Sequence, residues 1–244
     1  MLDTFDLSEK ESIHISNLMS SRNGWQFAIL KDRYYDEHYK IAVPHKYYDA
    51  HPYVKGMKEV LDAVIKFKPE KVLDIGSPVA QNLAVSKMTD LTILDIRSHP
   101  DTSLELNFMQ GNAIDIPMED SSVDMVTSMW TICHVGDGRY GDDLVFDADI
   151  RMLKEIHRIL KQGCNALIGF GPLAETPALL FNAQRVYSWK RIAESVKDAG
   201  FELVEKKEFP IRADMFIGPG WNTGDMFPVV TKPGMYGYVF LRRA

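Results

Sequence analysis

The sequence predicts a doubly wound α/β domain on a mostly parallel sheet, and three observations predict it. From residue 54 onward, short uninterrupted apolar runs alternate with amphipathic helical stretches, the pattern of parallel strands covered on both faces. Two of those runs end in an acid, Asp74 and Asp95, at the carboxyl edge where an open parallel sheet receives its ligands. The helical stretches close on glycine or proline, at Lys68-Pro69, Gly163 and Gly200.

Taken in order, residues 1–54 read as an N-terminal cap or extension, and residues 55–244 as the main domain. The extension is rich in Tyr and His (Tyr34, Tyr35, His38, Tyr39, His45, Tyr47, Tyr48, His51, Tyr53). Such groups either line a pocket or simply cover apolar surface, and both readings stand at this point. Pro52 suits the first turn of a helix, and Val54, Met57, Val60, Leu61, Val64 and Ile65 share one helical face as far as Phe67. Strands follow over residues 71–76, 91–96, 122–129 and 164–170. Between the last two lies a helix over 149–160, with Ile150, Leu153, Ile156, Ile159 and Leu160 inward, Asp147 as its cap and Gly163 as its left-handed end. Residues 188–199 read as a helix, 201–209 and 235–242 as strands, and the Gly/Pro-rich 210–234 between them as a functional or mobile loop.

Composition narrows the function classes. The chain has 244 residues, enough for one well-buried core, and 28 Lys+Arg against 34 Asp+Glu give a net charge of −6. No clustered basic face is present to grip phosphates, which argues against nucleic acid as a partner. Two cysteines, Cys133 and Cys164, make neither a disulfide framework nor a zinc motif. No signal peptide and no membrane span is expected, so a reducing cytoplasm is the expected address and a small molecule the expected partner. Oligomeric state is left open.

The chemistry concentrates at the strand ends. Asp95 follows Asp74 by 21 residues, the spacing at which the second acid can accept both hydroxyls of a ribose. His134 falls just past the run ending at Met129, and an imidazole titrates near neutrality, which suits a general base; a strand-capping role is the alternative. Arg139, Tyr140 and Asp142 stand among Gly136, Gly138 and Gly141. There Arg139 could fork onto a carboxylate or phosphate and Asp142 could orient it, or the loop is merely salt-bridged. Asp142, Asp143, Asp147 and Asp149 read as a solvated loop rather than a metal site. Arg185 and Tyr187 are expected to close over the substrate, Trp130 to border the site, and His45, His51 and His157 to be bystanders.

The run of Val72-Leu73-Asp74-Ile75-Gly76, Leu94-Asp95, Gly111-Asn112-Ala113, Asp124-Met125-Val126 and Leu160-Lys161-Gln162-Gly163 resembles the class I S-adenosylmethionine-dependent methyltransferases. The resemblance covers about residues 55 to 244 and implies a Rossmann-like sheet with a C-terminal antiparallel strand. It implies cofactor contacts from Asp74, Gly76 and Ser77 in the first turn and from Asp95, Ile96 and Arg97 at the ribose. Asn112 and Ala113 would lie beside adenine, and Met129 and Trp130 would complete the cofactor-binding set, with Trp130 bordering cofactor or substrate. A narrower resemblance joins Gly138-Arg139-Tyr140-Gly141-Asp142 and Asn182-Ala183-Gln184-Arg185-Val186-Tyr187 to an uncharacterised family of methyltransferase-like domains. What these resemblances imply is methyl transfer from S-adenosylmethionine; the aromatic and Arg groups available around a pocket point to a small polar acceptor such as a sugar or glycan-precursor hydroxyl. His134, Arg139, Tyr140 and Asp142 would carry the catalysis, with no metal.

The first turn departs from the family's Gly-x-Gly-x-Gly. It reads Gly76-Ser77-Pro78-Val79-Ala80, so Pro78 fixes φ and removes an N–H where the second glycine would stand. Two rival readings follow. One is a binding module whose cofactor site has closed. The other is a nicotinamide oxidoreductase, against which the missing Gly-x-Gly-x-x-Gly counts.

Overall fold

The computed structural model describes residues 27–30, 33–36, 41–44, 52–77, 79–98, 106–180, 184–210 and 235–243. His45, His51, Pro78, the start of the Asn-x-x-Arg-Val-Tyr motif at 182–183 and nearly all of the 210–234 loop lie outside the described residues.

A three-stranded antiparallel meander comes first, β1 (Phe27–Leu30), β2 (Arg33–Asp36) and β3 (Ile41–Pro44). Helix α1 (Pro52–Phe67) opens on its proline, as the sequence predicts, and buries Val60, Leu61, Ala63 and Val64. Ile65 is exposed instead, because Ala63 takes the inward position beside Val64.

The central sheet has seven strands in the order β11-β12-β8-β7-β4-β5-β6. Strands β4 (Lys71–Ile75), β5 (Asp90–Asp95), β6 (Asn107–Gln110) and β7 (Val123–Met129) run parallel with β8 (Leu160–Leu173). Strand β12 (Met235–Arg243) runs antiparallel between β8 and β11 (Phe201–Pro210). The chain winds outward from β4 to β6 and then returns to β7, so strand order reverses between β4 and β7. Burial is unbroken from Met125 to Met129, as it must be for strands covered on both faces. Helix α1 packs with α2 (Val79–Ser86), and α3 (Ala148–Ile159) with α4 (Trp189–Asp198). Leu73, Leu94, Val126, Ile168, Phe170, Tyr187, Val239 and Leu241 form the centre of the core.

Several local expectations are corrected. Leu160 already has extended backbone (φ −73°, ψ 135°), so α3 ends without a left-handed residue. Gly163 instead takes its φ of +76° inside β8, where the β7–β8 register slips between Val123 and Met125 and the extra residues must bulge. Asp147 occupies the N-cap of α3 but makes no capping bond; its carboxylate pairs with Arg151 at 2.9 Å. Ser188 does cap α4, its side chain accepting from the Arg191 N–H. Helix α2, strand β6 and the hairpin of β9 (Ala178–Leu180) and β10 (Gln184–Val186) are additions that the sequence reading lacks.

Candidate functional site

Pairing of the neighbouring parallel strands β4 and β5 brings the two predicted strand ends together, beside the reversal between β4 and β7. Beyond Ile75 the chain must turn sharply. Gly76 does so with φ +66°, and its N–H donates to the Leu94 carbonyl at 2.9 Å. A Cβ here would lie 2.5 Å from Oγ1 of Thr131, which itself donates to the Ile75 carbonyl at 2.8 Å. Ser128 Oγ donates to the same carbonyl at 2.9 Å. The turn is thereby pinned from the β7 side.

Asp74 sits beneath this turn, fully buried. Its carboxylate accepts from the Ser77 N–H (3.1 Å), Gln81 Nε2 (2.9 Å) and Thr127 Oγ1 (2.6 Å). Burial pushes its pKa up from 3.8 to about 6, against the opposing pull of the Thr127 and Ser77 hydrogen bonds. Ser77 is equally enclosed, its hydroxyl accepting from the Met129 N–H at 3.1 Å. Both residues hold the turn in shape, and neither side chain is presented to a ligand. Beside them Gln81 Oε1 and Asn82 Oδ1 are buried without a protein partner, on the first turns of α2.

Asp95 ends β5, and its side chain is 11% exposed. Oδ1 accepts from the Arg97 backbone N–H and from Nε, both at 2.9 Å, and Oδ2 accepts from Nη2 at 2.7 Å. The same guanidinium stacks over the ring of Tyr140, 5.3 Å from its centroid. Its pKa is raised, chiefly by the hydrogen bonds to Asp95. Next to it, Gln110 Nε2 donates to the Ile96 carbonyl at 3.2 Å. Asn112 folds an Asx turn, its Oδ1 accepting from the Ile114 N–H, and Ala113 is buried beside it.

On the other flank, Trp130 follows Met129 with φ +62°, a left-handed conformation uncommon for a bulky residue. Its N–H donates to the Gly169 carbonyl at 3.0 Å, and its ring fills the space where a Cβ on Gly56 of α1 would go. Strain of this kind persists where the surroundings over-determine it, and it gathers at functional sites. Met129 and Trp130 are both buried.

The segment after Trp130 folds back over the sheet edge. His134 lies edge-on to Tyr140, ring centroids 5.8 Å apart, and the Arg139 guanidinium approaches the same ring at 5.7 Å. Asp142 is turned inward: Oδ2 accepts from the Gly136 N–H at 2.5 Å and Oδ1 from the Tyr140 N–H at 3.3 Å. A carboxylate holding two backbone donors shapes its loop. Arg185 and Tyr187 are also turned inward. Arg185 is buried against Asp137 at 3.2 Å and donates to the Val135 carbonyl, while its own N–H binds the Cys133 carbonyl at 2.7 Å. Tyr187, fully buried, has its hydroxyl 3.3 Å from both the Ile132 carbonyl and Asp149 Oδ2, either of which can accept its one proton, and Asp149 pairs with Arg191 at 2.9 Å. Neither side chain faces a substrate; together they support the 132–137 segment from below. Burial pushes the Cys133 thiol up to about 12 and holds Asp137 above the usual carboxylate range.

Thr127, Thr131, Gln81 and Gly56 belong to this site, and the sequence reading passed over them. A polar residue on an apolar strand, Thr127, was the available signal for the first. Among the described residues no group of three or more His, Cys, Asp or Glu could hold a metal ion, and no helix is long and apolar enough to cross a membrane.

A family described as Caenorhabditis protein of unknown function, DUF268, matches residues 106–211, a span that contains both the Gly138–Asp142 and the Asn182–Tyr187 motifs. No curated protein matches the chain. Among solved structures, the 1,6-didemethyltoxoflavin-N1-methyltransferase of Burkholderia thailandensis, with bound S-adenosylhomocysteine, is similar at 15% identity. The likeness covers 81% of this chain and 80% of that one, with a TM-score of 0.59. Geranyl diphosphate C-methyltransferase of Streptomyces coelicolor is similar at 10% identity over 77% of this chain and 79% of that one, TM-score 0.57. The cyclase SpnF is similar at 15% identity over 78% and 80%, TM-score 0.58. The chain therefore has the Rossmann-like fold of the class I methyltransferases, with its one internal antiparallel strand.

Proposed function

We propose that this chain transfers a methyl group from S-adenosylmethionine to a small polar acceptor. The observation that carries the reading is Asp95, a carboxylate reaching the surface at the carboxyl edge of β5, one strand from the reversal point. The donor set suits the cofactor. Asp95 supplies acceptors for a ribose diol, Asn112 and Ala113 lie on the adjoining turn, and the Gly76 turn brings backbone close to the space above it. The two unpartnered amide oxygens of Gln81 and Asn82 mark polar capacity beside that turn.

When bound, the cofactor's sulfonium supplies an activated methyl group. The protein's share is positioning, since an in-line approach accounts for much of the rate. His134 stands at the mouth, where an imidazole nitrogen can take the proton of an acceptor hydroxyl or amine. Arg139 and Tyr140 present a cation and a ring face for orienting that acceptor, and a sugar or glycan-precursor hydroxyl is the first class to screen. Asp74, Ser77 and Asp142 act one step back, by holding the turn and the loop. The 1–54 segment is read as an N-terminal cap or extension.

The Arg97 fork on Asp95 favours one rival, a non-catalytic binding module, because it occupies the carboxylate that the ribose needs. Calorimetric titration with S-adenosylmethionine and S-adenosylhomocysteine, with Asp95→Ala as control, separates the two. Saturable binding that is lost in the variant supports the methyltransferase reading. Absence of binding in the unmodified protein and in an Arg97→Gln variant alike would sink it.

A further inference from the structure

Asp95 carries more donors than a ribose-binding acid can keep. A carboxylate offers roughly four lone-pair positions. Three are taken by Arg97: the backbone N–H and Nε on Oδ1, and Nη2 on Oδ2. A ribose diol brings two more hydroxyl donors, so the full set exceeds the capacity. Withdrawal of the guanidinium alone leaves the Arg97 N–H and both hydroxyls, which the carboxylate can accommodate. The backbone donor need not move.

The guanidinium has a second resting place already in contact. It stacks 5.3 Å from the centroid of the Tyr140 ring, and the Arg139 guanidinium approaches the same ring at 5.7 Å. The ring is 41% exposed, and His134 stands edge-on to it at 5.8 Å. Once Arg97 leaves Asp95, two cations flank one aromatic ring, with the candidate base beside them. Both guanidiniums approach that ring, at 5.3 and 5.7 Å from its centroid, and a planar fork matches carboxylate and phosphate oxygens.

We propose that Arg97 is an exchangeable guanidinium, holding Asp95 until the cofactor's ribose takes that carboxylate, then joining Arg139 across the Tyr140 ring to receive a carboxylate or phosphate on the methyl acceptor. This rests on the methyltransferase reading above and adds two things to it. The acceptor is anionic, and the cofactor binds first because it creates the acceptor's site.

The test titrates S-adenosylhomocysteine into the unmodified protein, Arg97→Gln and Arg97→Lys, with circular dichroism to confirm that each is folded. Inorganic phosphate and acetate are then titrated separately, with and without saturating S-adenosylhomocysteine. Both variants lose the bidentate fork and should bind the cofactor product roughly two- to fivefold tighter, the range of a part-exposed ion pair. One of the two anions should bind the loaded protein at least about tenfold more tightly than the cofactor-free protein. That gain should vanish in Arg97→Gln and in Arg139→Gln, and which anion gains identifies the acceptor's charged group. Equal or weaker cofactor affinity in both variants, with saturable binding in the unmodified protein, overturns the exchange. Anion binding that ignores the cofactor, or no anion binding to the loaded protein, overturns the receptor. No cofactor binding by any of the three proteins removes the underlying methyltransferase reading as well, a result distinct from the other two.

Discussion

Asp74→Asn is expected to stabilise the protein increasingly as pH rises. Burial lifts the Asp74 carboxyl from 3.8 to about 6. An acid with a raised native pKa binds its proton more tightly in the folded state. Its contribution is therefore full below pH 3.8, where it is protonated in both states, and is lost as pH rises through about 6. The difference between those two values corresponds to ~3 kcal/mol, of which ~2 kcal/mol falls between pH 4.5 and 7.5. An asparagine carries no such cost, and the surroundings can accept it. The Thr127 hydroxyl can turn to accept, and Gln81, whose Oε1 has no protein partner, can flip to meet the new amide N–H. Urea unfolding of both proteins across that pH range gives the difference in stability at each pH. Subtracting the two curves removes the carboxylates that titrate the other way, such as Asp124 and Glu155 with their lowered pKa values. A difference that grows by ~2 kcal/mol towards pH 7.5 is the expected result. A difference that stays flat or shrinks would refute the claim that the carboxylate beneath the turn is desolvated.

Gly76→Ala should cost ~1–2 kcal/mol, since the φ of +66° and the 2.5 Å approach to Thr131 Oγ1 both resist a Cβ. Cofactor affinity by calorimetry should fall with it, and an unchanged affinity would mean that the turn does not shape the site. Arg185→Met should cost roughly 3–5 kcal/mol in urea unfolding by stranding buried Asp137, and Asp137→Asn added to it should recover much of that. A double variant as unstable as the single one would show that the pair is not what Arg185 contributes. His134→Gln should lower single-turnover methyl transfer by roughly a hundredfold or more while leaving S-adenosylhomocysteine affinity intact. Equal losses in rate and affinity would assign His134 to shaping the loop.

The parallel core was legible because its signal is local and redundant. Val72-Leu73 and Met125-Val126 read as uninterrupted apolar runs, and the structure buries them on both faces. What was not legible depends on three-dimensional neighbours. Strand β6 has four residues at the sheet edge, with Asn107 and Gln110 exposed, too short and too polar to announce itself. Helix α2 spans only two turns and places polar Gln81 and Asn82 inward, where Asp74 and the Ser77 carbonyl receive them. A spacing of 21 residues located Asp95 correctly at a strand end, yet could not reveal the guanidinium lying on it. Asp142 and Arg185 look in sequence like free charges in a loop, and only their inward geometry shows that they serve the backbone.

The two motifs that single this chain out are joined to each other. Asp137 precedes Gly138–Asp142, Arg185 belongs to Asn182–Tyr187, and the buried ion pair between Asp137 and Arg185 links the two segments. Most of what the motifs specify is thus support for one loop. The side chains that this support leaves more exposed are Arg139, Tyr140 and the half-buried His134, and on the proposed function these are the ones available to the acceptor, with Arg97 beside the same ring. Fold alone would not decide the matter, since a cyclase shares it with methyltransferases. The loop's buried scaffolding and its exposed cationic and aromatic face are separate devices. Substitutions at Asp137 or Arg185 should therefore alter stability whichever acceptor is tested, whereas those at Arg97, Arg139 or Tyr140 should alter which anion is accepted while leaving the fold in place.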